Sequence, residues 1–220
     1  MSVENQAKEF YNSKKIGKLR RYNHPHVKAH VIDKINFIKD NLKLTPKDKV
    51  LEVGAGSGYF SFYLEKHCNL LATDVNKGIL SLNPAKHKQV SDGNNLNFKD
   101  NSFDVVMAFD ILHHVDNPEI IIKEMKRVSR KYLVFAEPNA DCISQKMIVL
   151  FFPREWGTYR FTTKYFKQIL KKNKLQIINF KHIGRLITPN IPLPLSWLKK
   201  LPYSDSPQLN LSNIAICKKQ

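Results

Sequence analysis

Val50-Leu51-Glu52-Val53-Gly54-Ala55-Gly56-Ser57-Gly58-Tyr59-Phe60 runs from an apolar stretch with one embedded acid into three glycines at alternate positions, and then into a helical pattern. A buried parallel strand that ends in a tight turn and opens a helix over a bound ligand is written this way. Glycine tolerates positive φ in such a turn, and its missing Cβ lets the backbone come close to a ligand. The spacing is G-x-G-x-G, not the G-x-G-x-x-G of dinucleotide binders. Glu52 stands two residues before the first glycine. A carboxylate there would repel a pyrophosphate and suits a ligand carrying positive charge. Both features argue against a nicotinamide dehydrogenase.

Residues 69–75, Asn-Leu-Leu-Ala-Thr-Asp-Val, read as the next strand, ending in Asp74. Twenty residues separate Asp74 from Gly54, the distance at which an acid on the second strand reaches ribose hydroxyls. A carboxylate is acceptor-only and takes hydrogen bonds from both hydroxyls of one ribose.

The stretch 50–60 resembles the first motif of the class I S-adenosylmethionine-dependent methyltransferases. Residues 91–98 (Ser-Asp-Gly-Asn-Asn-Leu-Asn-Phe), 100–106 (Asp-Asn-Ser-Phe-Asp-Val-Val) and 111–115 (Ile-Leu-His-His-Val) are similar to the type 11 subfamily. The likeness covers roughly residues 45–140. It implies an α/β, Rossmann-like, doubly wound sheet of seven strands with the last antiparallel, and S-adenosylmethionine as cofactor. It further implies that Gly54, Ala55, Gly56 and Gly58 border the methionyl and ribose portions, with Glu52 holding the amino group. Asp74 and Val75 would meet the ribose, and Asp92 and Gly93 the adenine amine, with Phe98 as an apolar wall. Phe109 and Asp110 would line the far side of the cleft. His114 or His113 is the candidate base for an acceptor proton, since imidazole titrates near neutrality. There is no Asn/Asp-Pro-Pro-Tyr motif after the fourth strand and no cysteine near that site, which disfavours amino-group methylation of bases or glutamine in that style and thiol-based cytosine-C5 chemistry.

A chain of 220 residues fits one domain with a sizeable core. The N-terminus is polar, with no signal-peptide apolar region, and the apolar runs are too short to span a bilayer. Cys68, Cys142 and Cys217 are odd in number and widely spaced, pointing to a reducing, cytoplasmic setting. No Cys/His cluster has zinc spacing, so no metal is expected. The net charge is +17. Residues 1–110 carry 17 basic and 12 acidic side chains, residues 111–220 carry 19 and 7, so the excess sits in the C-terminal half. Such a surface attracts RNA, anionic lipid or a phosphorylated substrate, unless it serves only solubility. Three functions stay open: methyl transfer to a small-molecule or lipid-like acceptor, methyl transfer to RNA through the basic half, and a non-catalytic methyltransferase-like binding subunit.

The chain reads as a single domain with an N-terminal helical extension over 1–48. Near-helical apolar spacing over 27–42 predicts a helix on the sheet edge or over the cleft, preceded by the basic residues Lys14, Lys15, Lys18, Arg20 and Arg21. Helices are expected over 57–66, 117–129 and 163–170. The second of these has Pro118 at its start and Ile120, Ile121, Met125 and Val128 inward. The third has Thr162 as N-cap and Asn173 as a left-handed end. Further strands are expected over 88–90, 103–109, 132–136, 175–180 and 211–217. The aromatic segment 140–161 and the proline-rich segment 184–210, with Trp197, are expected to be substrate-covering insertions.

Overall fold

The structure, a computed structural model, describes residues 21–146, 153–184 and 206–219. Lys14, Lys15, Lys18, Arg20 and Trp197, and most of the proline-rich segment, lie outside the described residues. Elements follow in the order α1 (Pro25–Leu42), β1 (Lys49–Val53), α2 (Ser61–Leu64), β2 (Asn69–Asp74), α3 (Lys77–Ser81) and β3 (His87–Val90). They continue with β4 (Phe103–Phe109), α4 (Pro118–Val128), β5 (Ser129–Pro138), α5 (Thr163–Lys172), β6 (Leu175–Ile183) and β7 (Ser212–Lys219). Short 3₁₀ turns occur at Leu112–His114 and Pro153–Arg160.

The strands form one seven-stranded sheet in the order β3-β2-β1-β4-β5-β7-β6. Pairing is parallel from β3 through β5, and β7 lies antiparallel between β5 and β6. The expected topology is therefore present. The chain leaves β1 toward β2 on one side and later toward β4 on the other, so a crevice opens at the carboxyl ends of these strands. β4 is buried at every position, as a central strand covered on both faces must be.

Two apolar layers flank the sheet. On one face α4 and α5 place Ile121, Ile122, Met125, Phe166 and Leu170 against Leu51, Val106 and Leu133. On the other, α1 presents Val27, Val31, Ile35 and Ile38 to Val50, Val105, Met107 and Val134. The helix predicted over 27–42 thus covers the sheet's face and not its edge. Ile120, expected inward on α4, is 42% exposed, and Ile122 takes its place. With Asn117 as the cap and Pro118 in the first turn, the helix phase sets Ile121, Ile122 and Met125 on the buried side. The helix expected over 57–66 is regular only at Ser61–Leu64, because the glycine turn occupies the preceding residues. Thr162 caps α5 as predicted, its hydroxyl accepting from the Tyr165 amide. At the other end Lys174 takes the left-handed conformation, φ 55, and Asn173 stays at φ −83.

Candidate cofactor cleft and acceptor side

The glycine loop after β1 is held in a net of hydrogen bonds. The Ala55 amide donates to the Thr73 carbonyl at 2.8 Å, and the Thr73 hydroxyl donates to the Glu52 carbonyl at 2.8 Å. Asn83 donates to the Gly56 carbonyl at 3.2 Å and to the Ser61 hydroxyl at 2.9 Å. All three glycines have positive φ. Their free space differs, however. A Cβ on Gly54 would lie 2.3 Å from Ile111 Cδ1, and one on Gly58 would lie 2.4 Å from Pro84 Cδ. A Cβ on Gly56 would meet only Ile79 Cδ1, at 3.7 Å. Gly54 and Gly58 are therefore required by the chain's own packing, while Gly56 borders open space.

Asp74 closes β2 at the crevice. Its Oδ2 accepts from the Gly56 amide at 2.9 Å and its Oδ1 from the Asn76 amide at 2.8 Å. Each oxygen keeps a lone pair for a ligand hydroxyl. Burial pushes this carboxyl up, and the two amides work against that shift. Beside it Val75 is 57% exposed, an uncovered apolar face at the lip.

Glu52 lies behind the loop, 2% exposed, with the Ser61 hydroxyl donating to its Oε2 at 2.6 Å. Burial pushes its carboxyl up to about 8, against the Ser61 hydrogen bond and with help from the Asp74 charge. No cation pairs with it among the described residues. A buried acid without a counter-ion fits a cationic ligand, which would restore its charge.

Asp92 is exposed and its Oδ1 accepts from the Asn94 amide at 2.9 Å, a local turn that leaves Oδ2 free. Gly93 packs under Val53 and Ile121. Phe98 stands edge-on to Phe103 at 5.1 Å and belongs to the core margin. Close by, the Ser91 hydroxyl is buried with no hydrogen-bond partner in the structure, while its amide donates to the Asp74 carbonyl. An orphaned hydroxyl at the end of β3 invites a polar ligand atom.

At the end of β4 the side chains are engaged by other parts of the protein. The Phe109 ring stacks on Phe60 at 4.1 Å, inside the core and not along the cleft. Asp110, at φ 53, points its Oδ2 toward His30 Nε2 at 3.1 Å, and Lys34 Nζ lies 3.1 Å from the same nitrogen. Burial alone would raise the Asp110 carboxyl, yet the Lys34 charge and the His30 hydrogen bond hold it well below the usual carboxylate range. His113 is 2% exposed, and its Nδ1 lies 2.7 Å from Glu137 Oε2. Glu137 also accepts from the amides of Ile111 and Leu112, which fixes the turn. His114 is half-buried, its ring 3.9 Å from that of His113. Arg160 pins the same turn, donating to the carbonyls of Leu112 and Asp116 at 3.1 Å each and to that of Val115.

The crevice thus brings together Glu52, Gly56, Asp74, Val75 and Ser91, with Asp92 at its rim. Residues 51–135 match the methyltransferase domain family. That stretch is similar to methyltransferase domains, and the sheet that holds it has the methyltransferase fold. The domain resembles a phosphatidylethanolamine N-methyltransferase of Cereibacter sphaeroides, 31% identical over 38% of this chain and 46% of that protein. It also resembles a demethylmenaquinone methyltransferase of Corynebacterium glutamicum, 34% identical over 42% of this chain and 41% of that protein. The chain spans less than half the length of these curated relatives. In fold the chain is similar to the magnesium protoporphyrin IX methyltransferase of Synechocystis PCC 6803, with TM-score 0.69 and 15% identity over 99% of this chain and 100% of that one. A SAM-dependent methyltransferase of Aquifex aeolicus gives TM-score 0.66 at 17% identity, over 94% and 97%.

Sequence reasoning passed over His30, Lys34, Ser61, Asn83, Ser91, Glu137 and Arg160. The signal for the first pair was a histidine and a lysine four apart among apolar positions of α1, which puts both on the buried face. Glu137 ends β5 as Asp110 follows β4, a parallel visible only once the two strands are seen to be neighbours.

Proposed function

We propose that this methyltransferase domain binds S-adenosylmethionine across the ends of β1 and β2 and transfers its methyl group to a small-molecule or lipid-like acceptor. The observation that carries the reading is Asp74. Its two oxygens are anchored on the Gly56 and Asn76 amides, so the carboxylate is fixed at the crevice with acceptor capacity to spare. Glu52 supplies a buried negative charge for an ammonium group, and Gly56 leaves the backbone open beside it. The cofactor brings an activated methyl group on a sulfonium with a good leaving group. What the chain must add is orientation, which supplies roughly 7–11 kcal/mol in well-aligned reactions.

His114, on the turn braced by Glu137 and Arg160, is the group offered to take a proton from the acceptor. His113 is committed to Glu137. The acceptor class rests on the segment after β5. It carries Ile143, Trp156 and Tyr159, which are 60%, 53% and 50% exposed. Arg160 anchors that segment to the turn at the end of β4, so an uncovered apolar rim stands beside the crevice. The names of the two curated relatives, which act on a phospholipid and a quinone precursor, agree with that rim.

Calorimetric titration with S-adenosylhomocysteine tests the cradle. Binding by the wild type and at least a tenfold loss in Asp74→Ala, about 1.4 kcal/mol, is expected. A wild type that does not bind, or an Asp74→Ala protein that binds equally, overturns it. Transfer of labelled methyl into the solvent-extractable fraction of a lipid extract tests the acceptor class, and label confined to aqueous products would refute it.

A further inference from the structure

Among the described residues a cluster of positive charge lies far from the crevice, at the amino-terminal end of the sheet. A recess of about 370 Å³ there is walled by Lys123, Lys126 and Arg127 of α4, Lys172 and Asn173 at the end of α5, Lys174, and Lys219 at the end of β7. No acidic residue lines it. The nearby carboxylates are committed: Glu124 and Asp100 to Arg127, each at 2.8 Å, and Glu119 to Lys172 at 2.8 Å. Lys123, Lys126, Lys174 and Lys219 have no carboxylate within ion-pair distance among the described residues.

Two of these ammonium groups are fixed in place. Lys126 Nζ donates to the carbonyls of Asn173 at 3.1 Å and Lys174 at 3.0 Å. Lys219 Nζ donates to Asn101 Oδ1 at 2.7 Å. Burial, and then the charges of Lys174 and Lys219, hold the Lys126 ammonium below its ordinary range. Cations from three elements and the turn after α5 are thus held together against their own repulsion, and an anion in the recess would relieve it. The carbonyls at the end of α5 account for Lys126 and the Glu119 ion pair for Lys172, which leaves the Lys123 and Lys174 side chains without a structural task.

We infer that this recess is a docking site for the phosphodiester backbone of RNA. The lining has no aromatic side chain to stack a base, and its only uncharged member is Asn173, so the contact would be to phosphates and independent of base sequence. The lining is open and carries no exposed large apolar side chain to insert among lipid chains, which suits a charged nucleic-acid backbone better than a bilayer. β4 separates the recess from the crevice by seven residues, roughly 20 Å at strand spacing, so the recess tethers and does not itself present an acceptor.

The test is fluorescence anisotropy of a labelled short RNA duplex with the full chain, in low and raised salt. Lys123→Glu/Lys174→Glu should weaken binding at least tenfold at about 50 mM salt and lower the salt slope by about two. Lys47→Glu/Lys86→Glu, an equal charge change at exposed positions that do not line the recess, should weaken it much less. Tm and S-adenosylhomocysteine affinity of the recess variant should match the wild type. That control also separates this inference from the methyl-transfer reading, since either can fail alone. No RNA retention by the wild type in low salt, equal weakening by both variants, or capture by phosphatidylserine vesicles in preference to RNA would overturn the inference. If the recess variant lost Tm, Lys123→Glu alone, on an exposed side chain, would carry the same comparison.

Discussion

Glu52 concentrates the chemistry of the cleft in one side chain. It sits on a central strand with one hydrogen bond and no paired cation, and burial pushes its carboxyl up to about 8 from an ordinary value of 4.5. The sign of the consequence follows from linkage. The folded state holds this proton more tightly than the unfolded chain. The contribution is therefore fully present below about pH 4.5 and is lost as pH rises through about 8. Glu52→Gln keeps the partner for Ser61 and removes the titration. Its denaturation midpoint should match the wild type near pH 5 and exceed it near pH 8.5, by on the order of 2–4 kcal/mol in stability. Saturating S-adenosylhomocysteine, whose ammonium would sit beside Glu52, should shrink that gap. Urea titrations across this pH range would decide it, and parallel curves would show that Glu52 is not buried as an acid. Glu52 was legible in the sequence as an acid before the glycines. Its near-complete burial was not, because that depends on α2 and Asn83 closing over it.

At the scale of elements, the turn Leu112–His114 shows how a site is braced from outside its own motif. Glu137 of β5 takes amides of the turn from below, and Arg160 takes carbonyls from the opposite side. Removing the guanidinium leaves several partly buried carbonyls without donors, at about 1–3 kcal/mol for a buried polar group. Arg160→Ala should therefore lower Tm by several degrees. It should also raise amide hydrogen exchange at residues 112–116 more than in β1 or β4. Uniform exchange changes, or none, would contradict the clamp. Helix and strand positions were mostly readable from apolar period and caps, as with Thr162 on α5 and Asn117 before α4. Individual facings were less so. Ile120 and Ile122 are equally apolar, and only the neighbouring strand selects which one turns inward.

For the molecule as a whole, α1 is the element that joins the region before the domain to the crevice. It crosses the sheet face and, within its apolar stripe, sets His30 against Asp110 with Lys34 on the same ring nitrogen. Lys34 is fully buried, and burial lowers its ammonium while Asp110, Asp33 and Glu137 oppose that shift. Lys34→Met would leave the Asp110 charge with His30 alone, which should cost about 1–3 kcal/mol. The double variant Lys34→Met/Asp110→Asn should recover a large part of that loss, which chemical denaturation would measure. A double variant no better than the single would show that the two groups do not share their energy.

The sequence by itself determined the strand segments, the glycine turn and Asp74 at the end of the second strand, because apolar period, glycine spacing and a fixed chain distance are local properties, while the order of the strands came from the family resemblance. Only the tertiary structure decided that Gly54 is filled by Ile111, that Phe109 belongs to the core, that Asp110 answers to a lysine 76 positions earlier, and that six cations meet at the far end of the sheet. Those facts depend on which strands become neighbours and on what burial does to a charge, and both are set by long-range packing that no short stretch of chain encodes.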